Sequence, residues 1–177
     1  VVSHSVRAAV KATESGRIGV LGTPATINSG AHKKQILEIM PAAQVTENSG
    51  ALLVPLVEAG WYSPDDPVVT ETLKRYLKPF SDNNVDTLIL GCTHFPVLAP
   101  AISRILGDGV RLINMGAAAA QVVKQRLSGA DALGNAPAAE HKFFVSDKAA
   151  SFRQMAELLL SEKINENMVF RADVSGL

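Results

Sequence analysis

The most informative part of the sequence reads Val85-Asp86-Thr87-Leu88-Ile89-Leu90-Gly91-Cys92-Thr93-His94-Phe95-Pro96-Val97-Leu98. Its apolar run, residues 88–90, predicts a strand that is buried on both faces, as in a parallel sheet. The strand ends at Gly91, where the backbone has to turn tightly, and apolar residues from Leu98 onward recur at helical spacing. Cys92 is therefore predicted at the carboxyl end of a strand, which is where open α/β sheets bind their ligands.

The rest of the chain alternates between strand-like and helix-like segments. Short apolar or β-branched runs predict strands at residues 17–22, 43–46, 110–113, 142–145 and 168–174. Apolar residues at helical spacing predict helices at residues 6–13, 29–39, 67–79, 98–106, 117–127 and 152–159. Asp66 is the predicted cap of the third helix, and Pro79 marks its expected end. Residues 23–29 are interpreted as a turn and the Gly-, Ala- and Pro-rich residues 128–141 as a loop or linker. This alternation predicts an α/β fold with a mostly parallel sheet flanked by helices.

Composition excludes several classes of protein. The chain has 177 residues, 47% of them hydrophobic, with 17 basic and 17 acidic side chains. A formal net charge of zero gives no excess of basic residues for binding nucleic acid. No apolar run is long enough to span a bilayer. The single cysteine excludes an intrachain disulfide and is typical of a reducing compartment, so we expect a cytoplasmic protein. The first residues show no secretory signal. Because the sequence begins with Val1 rather than Met, it is interpreted as a processed product or a fragment, and we expect a fragment of a longer chain.

Cys92 is the first candidate for chemistry. A lone free cysteine is often just a small buried apolar side chain, and that interpretation stays open. Its position after a strand and ahead of a helix favours a reactive thiol, because a helix N-terminus stabilises a thiolate. A thiolate there could attack a carbonyl carbon or remove a proton from carbon.

Three residues are candidate partners of that thiol. A turn would bring the His94 imidazole back to the sulfur, whereas the alternative is a solvated loop histidine. Thr93 offers a hydroxyl and a backbone N–H to the same pocket, or else caps a helix. Glu58 ends an apolar segment and is a candidate partner for His94, although it also fits the point where the chain returns to water.

A second group of hydroxyls follows the strand at residues 17–22. Thr23, Thr26 and Ser29 suit a bound carboxylate or phosphate, but capping and turn formation explain them equally well. The sequence has neither a GxGxxG nor a P-loop motif, so no nucleotide is implied. The other three histidines have no ligand-like spacing to one another or to Cys92, so we expect no metal site.

Four segments, in the same order, resemble the cofactor-independent glutamate racemases of the aspartate/glutamate racemase family. The second cysteine signature of that family is similar to Leu90-Gly91-Cys92-Thr93-His94-Phe95-Pro96-Val97-Leu98. The other segments are Ile18-Gly19-Val20-Leu21-Gly22-Thr23-Pro24-Ala25-Thr26 followed by Ser29-Gly30, Leu53-Val54-Pro55-Leu56-Val57-Glu58-Ala59-Gly60-Trp61, and Phe143-Phe144-Val145-Ser146-Asp147 with Phe152. The resemblance covers essentially the whole chain.

The resemblance implies a two-base racemisation that uses no pyridoxal phosphate, no metal and no other cofactor. Two cysteines face opposite sides of the substrate's α-carbon; one thiolate removes the proton and the opposing thiol returns one. By resemblance Cys92 is the second of these cysteines, His94 and Glu58 are its catalytic helpers, and Thr93 and Thr26 bind substrate. The implied substrate is glutamate, with D-glutamate supplied to cell-wall peptidoglycan. We expect no nucleic-acid or membrane partner and leave a homo-oligomer open.

The sequence also departs from the family pattern. It has no counterpart of the first cysteine with its Asn-Thr neighbours, or of the amino-terminal Asp-Ser pair. The departures within the chain are Asn114-Met115-Gly116 where Asp-Ser is common, His32 where a tyrosine is usual, and Asn48-Ser49-Gly50-Ala51 where a further cysteine is frequent.

The family fold has two similar α/β domains with the active site between them. Mapped onto this sequence, residues 1–113 are the second domain, and residues 114–177 are the segment that returns to the first domain. The chain is then one domain plus part of a second, the carboxyl-terminal portion of a racemase. We expect the isolated chain to be inactive because the first catalytic cysteine is absent. We also expect the returning segment to be loosely packed or to pair with another molecule.

Three other functions stay open. The nearest is an aspartate racemase of the same family. The second is thiol acyl transfer, with Cys92 as nucleophile and His94 as base. The third is a non-catalytic binding or structural module, in which Cys92 is merely buried.

Overall fold

The computed structural model describes residues 1–134, 141–146, 149–160 and 162–173. The chain divides into two compact units, Val1–Ala132 and Leu133–Leu177. This division falls after Ala132, whereas the sequence predicts a domain boundary after Ile113. The assignment of residues 114–177 to a returning domain stays a prediction.

The first unit contains four strands and seven helices among its described residues. The strands are β1 (Arg17–Gly22), β2 (Gln44–Ser49), β3 (Thr87–Gly91) and β4 (Arg111–Asn114). The helices are α1 (Val2–Ala12), α2 (Pro24–Asn28), α3 (Ala31–Ile39), α4 (Leu53–Glu58), α5 (Pro67–Asp82), α6 (Ala99–Leu106) and α7 (Met115–Gly129). A short 3₁₀ helix, Phe95–Leu98, lies between β3 and α6.

The four strands form one parallel sheet in the order β2-β1-β3-β4. All five residues of β3 are buried, which confirms the prediction of a central parallel strand. In the sheet register Gly22 at the end of β1 is opposite Gly91 at the end of β3. The predicted α/β fold with a parallel sheet flanked by helices is therefore confirmed.

Helices cover both faces of this sheet. On one face α1 packs against α3 and α7, and Val6, Ala9 and Ile36 join Ile18 and Ile89 in a buried cluster. On the other face Phe80 of α5 and Leu88 of β3 lie over Gly19, where a Cβ would come within 2.8 Å of both side chains. Burial of these apolar side chains from both sides fixes the ends of the strands in space.

Two local predictions need correction, and a third agrees with the structure. Residues 23–29, predicted as a turn, contain the short helix α2, which Thr23 caps. Helix α5 does not end near Pro79 but continues to Asp82, with Pro79 inside it. Asp66 does cap α5, since its Oδ1 accepts hydrogen bonds from Val68 N and Val69 N at 2.7 and 3.3 Å.

The second unit is smaller. It contains a parallel pair of strands, β5 (Phe143–Val145) and β6 (Val169–Arg171), the helix α8 (Ala149–Leu160) and a 3₁₀ turn at Glu166–Met168. The predicted strand at residues 168–174 is thus shorter at both ends, and its last residue lies outside the described residues. Asp147 of the fourth family-like segment and residues 135–140 of the predicted linker also lie outside the described residues.

Within the described ranges, no helix combines the length and the apolar character that a bilayer crossing requires.

Candidate active site

The candidate site lies where β1 and β3 end. At Gly91 an added Cβ would come within 2.9 Å of the backbone oxygen of Leu21 and 3.4 Å of the Gly22 Cα. Only glycine permits so close an approach of the two strands, because any side chain would meet backbone. The next three residues, 92–94, leave the sheet together at this edge.

Cys92 and His94 are brought together by the turn that follows β3. The Cys92 Sγ is 3.8 Å from His94 Nδ1, and Thr93 Oγ1 is 3.4 Å from the same nitrogen. Phe95 holds the turn in place because its side chain is fully buried and its N–H donates to the Cys92 carbonyl at 3.3 Å. Cys92 is partly exposed at this edge of the sheet.

Glu58 completes this arrangement from a distant part of the sequence. It is the last residue of α4, and its Oε1 is 3.4 Å from His94 Nε2. The exposed fraction of the side chain is 20% for His94 and 57% for Glu58, so the imidazole is the more enclosed of the two. The structure therefore places the His94 imidazole in contact with both the Cys92 thiol and the Glu58 carboxylate, and the catalytic roles of the three residues stay a prediction.

Thr26 approaches the same edge from α2. Its hydroxyl is 3.4 Å from the carbonyl oxygen of Gly91, directly before Cys92 in the chain, and 3.0 Å from the Thr23 hydroxyl. Thr23 Oγ1 also accepts from the Thr26 N–H at 3.3 Å, and Ser29 donates its hydroxyl to the Thr26 carbonyl at 2.7 Å. Thr23 and Ser29 are thus engaged in local turns, while Thr26 bridges α2 and the Cys92 strand.

Asn114 is at the same edge of the sheet, one strand further along. It pairs in register with Leu90, and its Oδ1 accepts from Gly116 N and Ala117 N at 2.9 and 3.2 Å. The Asn114 side chain therefore caps α7.

The sequence leaves Thr23 open between ligand binding and capping, and in the structure Thr23 is a helix cap. Thr23 positions the Thr26 hydroxyl by capping α2, and the Thr23-Pro24 pair is a sequence signal for a helix start. That signal was available, but a helix of five residues is too short to show periodicity.

The three polar groups can act as a proton relay. An imidazole beside a thiol can accept its proton, and a carboxylate on the other ring nitrogen stabilises the imidazolium that results. The thiolate then becomes a base or nucleophile at a solvent-accessible edge of the sheet.

Comparison with known proteins gives one consistent result. A family model described as Asp/Glu/Hydantoin racemase matches residues 1–123. A glutamate racemase of Geobacter metallireducens is 37% identical over 169 residues, which cover 94% of this chain and 61% of that protein. A glutamate racemase 2 of Caldanaerobacter subterraneus is 33% identical, covering 98% of this chain and 64% of the relative.

Solved structures give the same result. A glutamate racemase isoform from Bacillus anthracis has a TM-score of 0.86 at 32% identity, covering 98% of this chain and 63% of its own. The Francisella tularensis glutamate racemase, solved with D-glutamate, has a TM-score of 0.83 at 32% identity, covering 98% and 62%. The chain thus spans less than two thirds of the length of each of these proteins.

Proposed function

Because the chain belongs to the Asp/Glu/hydantoin racemase family, we propose that it carries one of the two bases of a cofactor-independent glutamate racemase, an isomerase. The observation that carries this proposal is the alignment of Cys92, His94 and Glu58 at the carboxyl edge of the sheet. Relatives named glutamate racemases, and a related structure that contains D-glutamate, support glutamate as the substrate.

In the proposed reaction the Cys92 thiolate removes the proton from the α-carbon of one enantiomer. The electron pair of the broken C–H bond stays on the α-carbon and is delocalised into the adjacent carboxylate. A second thiol on the opposite face donates a proton to that carbon, which inverts its configuration. In the other direction Cys92 is the thiol that donates.

His94 and Glu58 serve the Cys92 side of this reaction. The imidazole Nδ1 faces the sulfur and can hold the thiol proton between turnovers, while Glu58 stabilises the charge on the ring from Nε2. Thr93 and Thr26 offer hydroxyls at the same edge for the polar groups of the amino acid. We assign them to substrate binding.

The second base has to come from outside these 177 residues, because Cys92 is the sole cysteine. The relatives are longer than this chain, so a complete enzyme has room for an opposing domain with its own thiol. The proposed role of that enzyme is to supply D-glutamate for peptidoglycan in the cytoplasm. Aspartate is the alternative substrate, and steady-state racemisation of both amino acids separates the two.

Replacement of Cys92 in a complete enzyme that contains this chain tests the proposal. Cys92→Ser should abolish racemisation, because a hydroxyl is too weak a base, while circular dichroism and the thermal unfolding midpoint stay unchanged. The reaction is followed by polarimetry and by deuterium incorporation at the α-carbon in D₂O. Ser103→Ala, an exposed change on α6, is the control and should retain full activity.

Two results would contradict the proposal. Racemisation by Cys92→Ser at a near-normal rate would remove this residue from the catalytic pair. A covalent acyl adduct on Cys92, detected by mass spectrometry after turnover, would indicate acyl transfer instead.

A further inference from the structure

Two hydrogen-bond donors lie within reach of one acceptor in the candidate active site. The acceptor is Nδ1 of His94, and the donors are the Thr93 hydroxyl at 3.4 Å and the Cys92 thiol at 3.8 Å. Glu58 faces the other ring nitrogen, Nε2, at 3.4 Å, and a carboxylate accepts hydrogen bonds. In the neutral ring the proton therefore belongs on Nε2, which leaves Nδ1 with its lone pair as an acceptor.

A single ring nitrogen cannot serve both donors at full strength. Nδ1 has one lone pair, in the plane of the ring, so a hydrogen bond from Thr93 is made at the expense of one from Cys92. The hydroxyl is the stronger of the two donors, because an S–H group donates only weakly. Without a ligand we therefore expect the Thr93 hydroxyl to hold Nδ1 and the Cys92 thiol to keep its proton.

The charged groups around this ring do not change that competition. Within the described parts of the chain, the ionisable side chains in hydrogen-bond or ion-pair contact with His94 are Cys92 and Glu58. Helices α4 and α6 pack on the 3₁₀ helix that follows His94, and the basic side chain of α6, Arg104, is paired with Asp65. The competition for Nδ1 is therefore between two neutral donors, with the Glu58 carboxylate on the opposite side of the ring.

The Thr93 hydroxyl is well placed to respond to a ligand. The Thr93 side chain is exposed, whereas the His94 side chain is only 20% exposed. A hydrogen bond from a hydroxyl to an ionised carboxylate is about twice as strong as one between neutral groups. A carboxylate ligand at this edge of the sheet would therefore draw the Thr93 hydroxyl away from Nδ1.

We propose that Thr93 makes the ionisation of Cys92 depend on a bound carboxylate ligand. This inference rests on the proposed function, in which that ligand is the amino-acid substrate. When the ligand accepts the Thr93 hydroxyl, the S–H bond of Cys92 breaks and the proton forms a bond to His94 Nδ1. The electron pair stays on the sulfur, so thiolate and imidazolium form together, and Glu58 stabilises the imidazolium. Thr93 is thus a positioning residue that acts through His94, and the base is produced only beside a substrate.

The unliganded chain of 177 residues provides a direct test, because Cys92 is its sole cysteine. Alkylation by iodoacetamide is followed by mass spectrometry between pH 6 and pH 9, since the thiolate is the nucleophile. Thr93→Val removes the competing hydroxyl and keeps the shape of the side chain. It should accelerate alkylation about fivefold at pH 7, which is the factor that one neutral hydrogen bond contributes. A residue that only binds substrate would produce no such gain.

Two variants make this measurement specific. Thr93→Ser keeps the hydroxyl and should react at the rate of the parent chain. Thr46→Val makes the same exchange on β2, outside the candidate site, and should also react at the parent rate. Circular dichroism and the thermal unfolding midpoint of the variants should match those of the parent, so that a changed rate reports on the thiol and not on the fold.

A complete enzyme that contains this chain provides the second test. The pH profile of kcat/KM reports ionisations of the free enzyme, and the profile of kcat reports those of the enzyme–substrate complex. With the enantiomer from which Cys92 removes the proton, the acid limb of kcat/KM should lie at a higher pH than that of kcat, because the free enzyme keeps the thiol protonated. Thr93→Val should bring the two limbs together, and Thr93→Ser should keep them apart.

Several outcomes would overturn the proposal. One is an alkylation rate of Thr93→Val that equals or falls below the parent rate. Others are a Thr93→Ser chain that reacts as fast as Thr93→Val, a Thr46→Val chain accelerated to the same degree, and acid limbs that coincide in the parent enzyme.

These outcomes leave the racemase proposal in place. A Cys92→Ser enzyme that racemises at a near-normal rate contradicts the proposed function instead. It removes the substrate as the ligand, while the alkylation rates still decide whether Thr93 controls the thiol.

Discussion

His32 is the most isolated polar side chain among the described residues. It is 2% exposed, and neither ring nitrogen has a hydrogen-bond partner in the described part of the chain. It lies one turn before Ile36 on the buried face of α3, which packs on α1. Burial lowers the pKa of His32, because the charged ring would lose its hydration without gaining a partner.

We expect His32 to make the protein sensitive to mild acid. The unfolded chain binds a proton on this histidine near its ordinary pKa of 6.5, whereas the folded chain binds it only at a lower pH. Stability is therefore fully present above that pH and is lost as the pH falls below it, by up to about 1.4 kcal/mol per pH unit. His32→Phe, a ring of similar shape, should remove this loss in urea titrations between pH 8 and pH 5, and the exposed His141→Phe should not. Equal pH dependence of the two variants would show that His32 is not kept neutral.

Asp86, in contrast to His32, is an ionisable side chain that accepts several hydrogen bonds. Its oxygens accept from the Thr13 and Ser15 hydroxyls and from the backbone N–H groups of Glu14 and Ser15, at 2.6 to 2.9 Å. Burial acts to raise the pKa of Asp86, but these hydrogen bonds outweigh it and hold the pKa well below its ordinary value of 3.8. The carboxylate thereby ties the loop before β1 to the start of β3.

Loss of this carboxylate should destabilise the sheet from its amino-terminal edge. Asp86→Asn should lower the free energy of unfolding by about 1–2 kcal/mol at pH 7, discounted for the partial exposure of the cluster. The pKa of Asp86 is lower in the folded protein than in the unfolded chain. The stabilisation is therefore fully present above the pKa of the unfolded chain, and it is lost as the pH falls from there toward the pKa of the folded protein. The difference between Asp86→Asn and the parent protein should therefore shrink below about pH 4 in chemical denaturation. A constant difference from pH 7 to pH 3 would contradict this origin.

At the scale of elements, the contact between β1 and β3 positions the candidate site. Gly91→Ala would press a methyl group against the Leu21 carbonyl oxygen, which belongs to the backbone of β1 and has no room to yield. We expect a loss of about 1–3 kcal/mol in urea unfolding, the usual range for overpacking. Gly109→Ala is the matched control, because nothing lies within 4 Å of its added methyl group. Equal stability of the two variants would show that β1 and β3 can move apart at Gly91 to accommodate the added methyl group without loss of stability.

The elements that the sequence predicts well are those whose pattern is long. Strand β3 and helix α5 are predicted because five buried residues or four turns of apolar spacing leave few alternatives. Helix α2 is not predicted because a helix of five residues is too short to show a helical spacing of apolar residues. The predicted end of α5 near Pro79 is wrong because the helix continues to Asp82, although proline usually ends a helix. The Cys92 and His94 contact follows from adjacency in the chain. Glu58 is 34 residues before Cys92 in sequence, so the end of its apolar segment makes it a candidate partner only weakly; the resemblance favours it, and the tertiary fold brings it to the ring.

At the scale of the whole molecule, the two units differ in how much they bury. In the first unit the sheet is buried from both sides, with most of the fully enclosed apolar side chains of the described residues. In the second unit the buried apolar side chains among the described residues are Ala156 and Ile164. Phe144 and Phe170 stack on each other at 5.5 Å, yet they are 67% and 40% exposed. Apolar burial is the main source of local stability, so the second unit has the weaker basis for resisting opening.

This contrast leads to a prediction about hydrogen exchange in the isolated chain. Amides of β5 and α8 should exchange at least about tenfold faster than those of β1 and β3, because opening the second unit exposes little additional apolar surface. Peptide-resolved deuterium uptake at neutral pH measures this directly, and α1, which is packed within the first unit, is the helical control for α8. Uniform protection across both units would require contacts that stabilise the second unit to the same degree as the sheet. It would also contradict the expectation that residues 114–177 are a loosely packed returning segment.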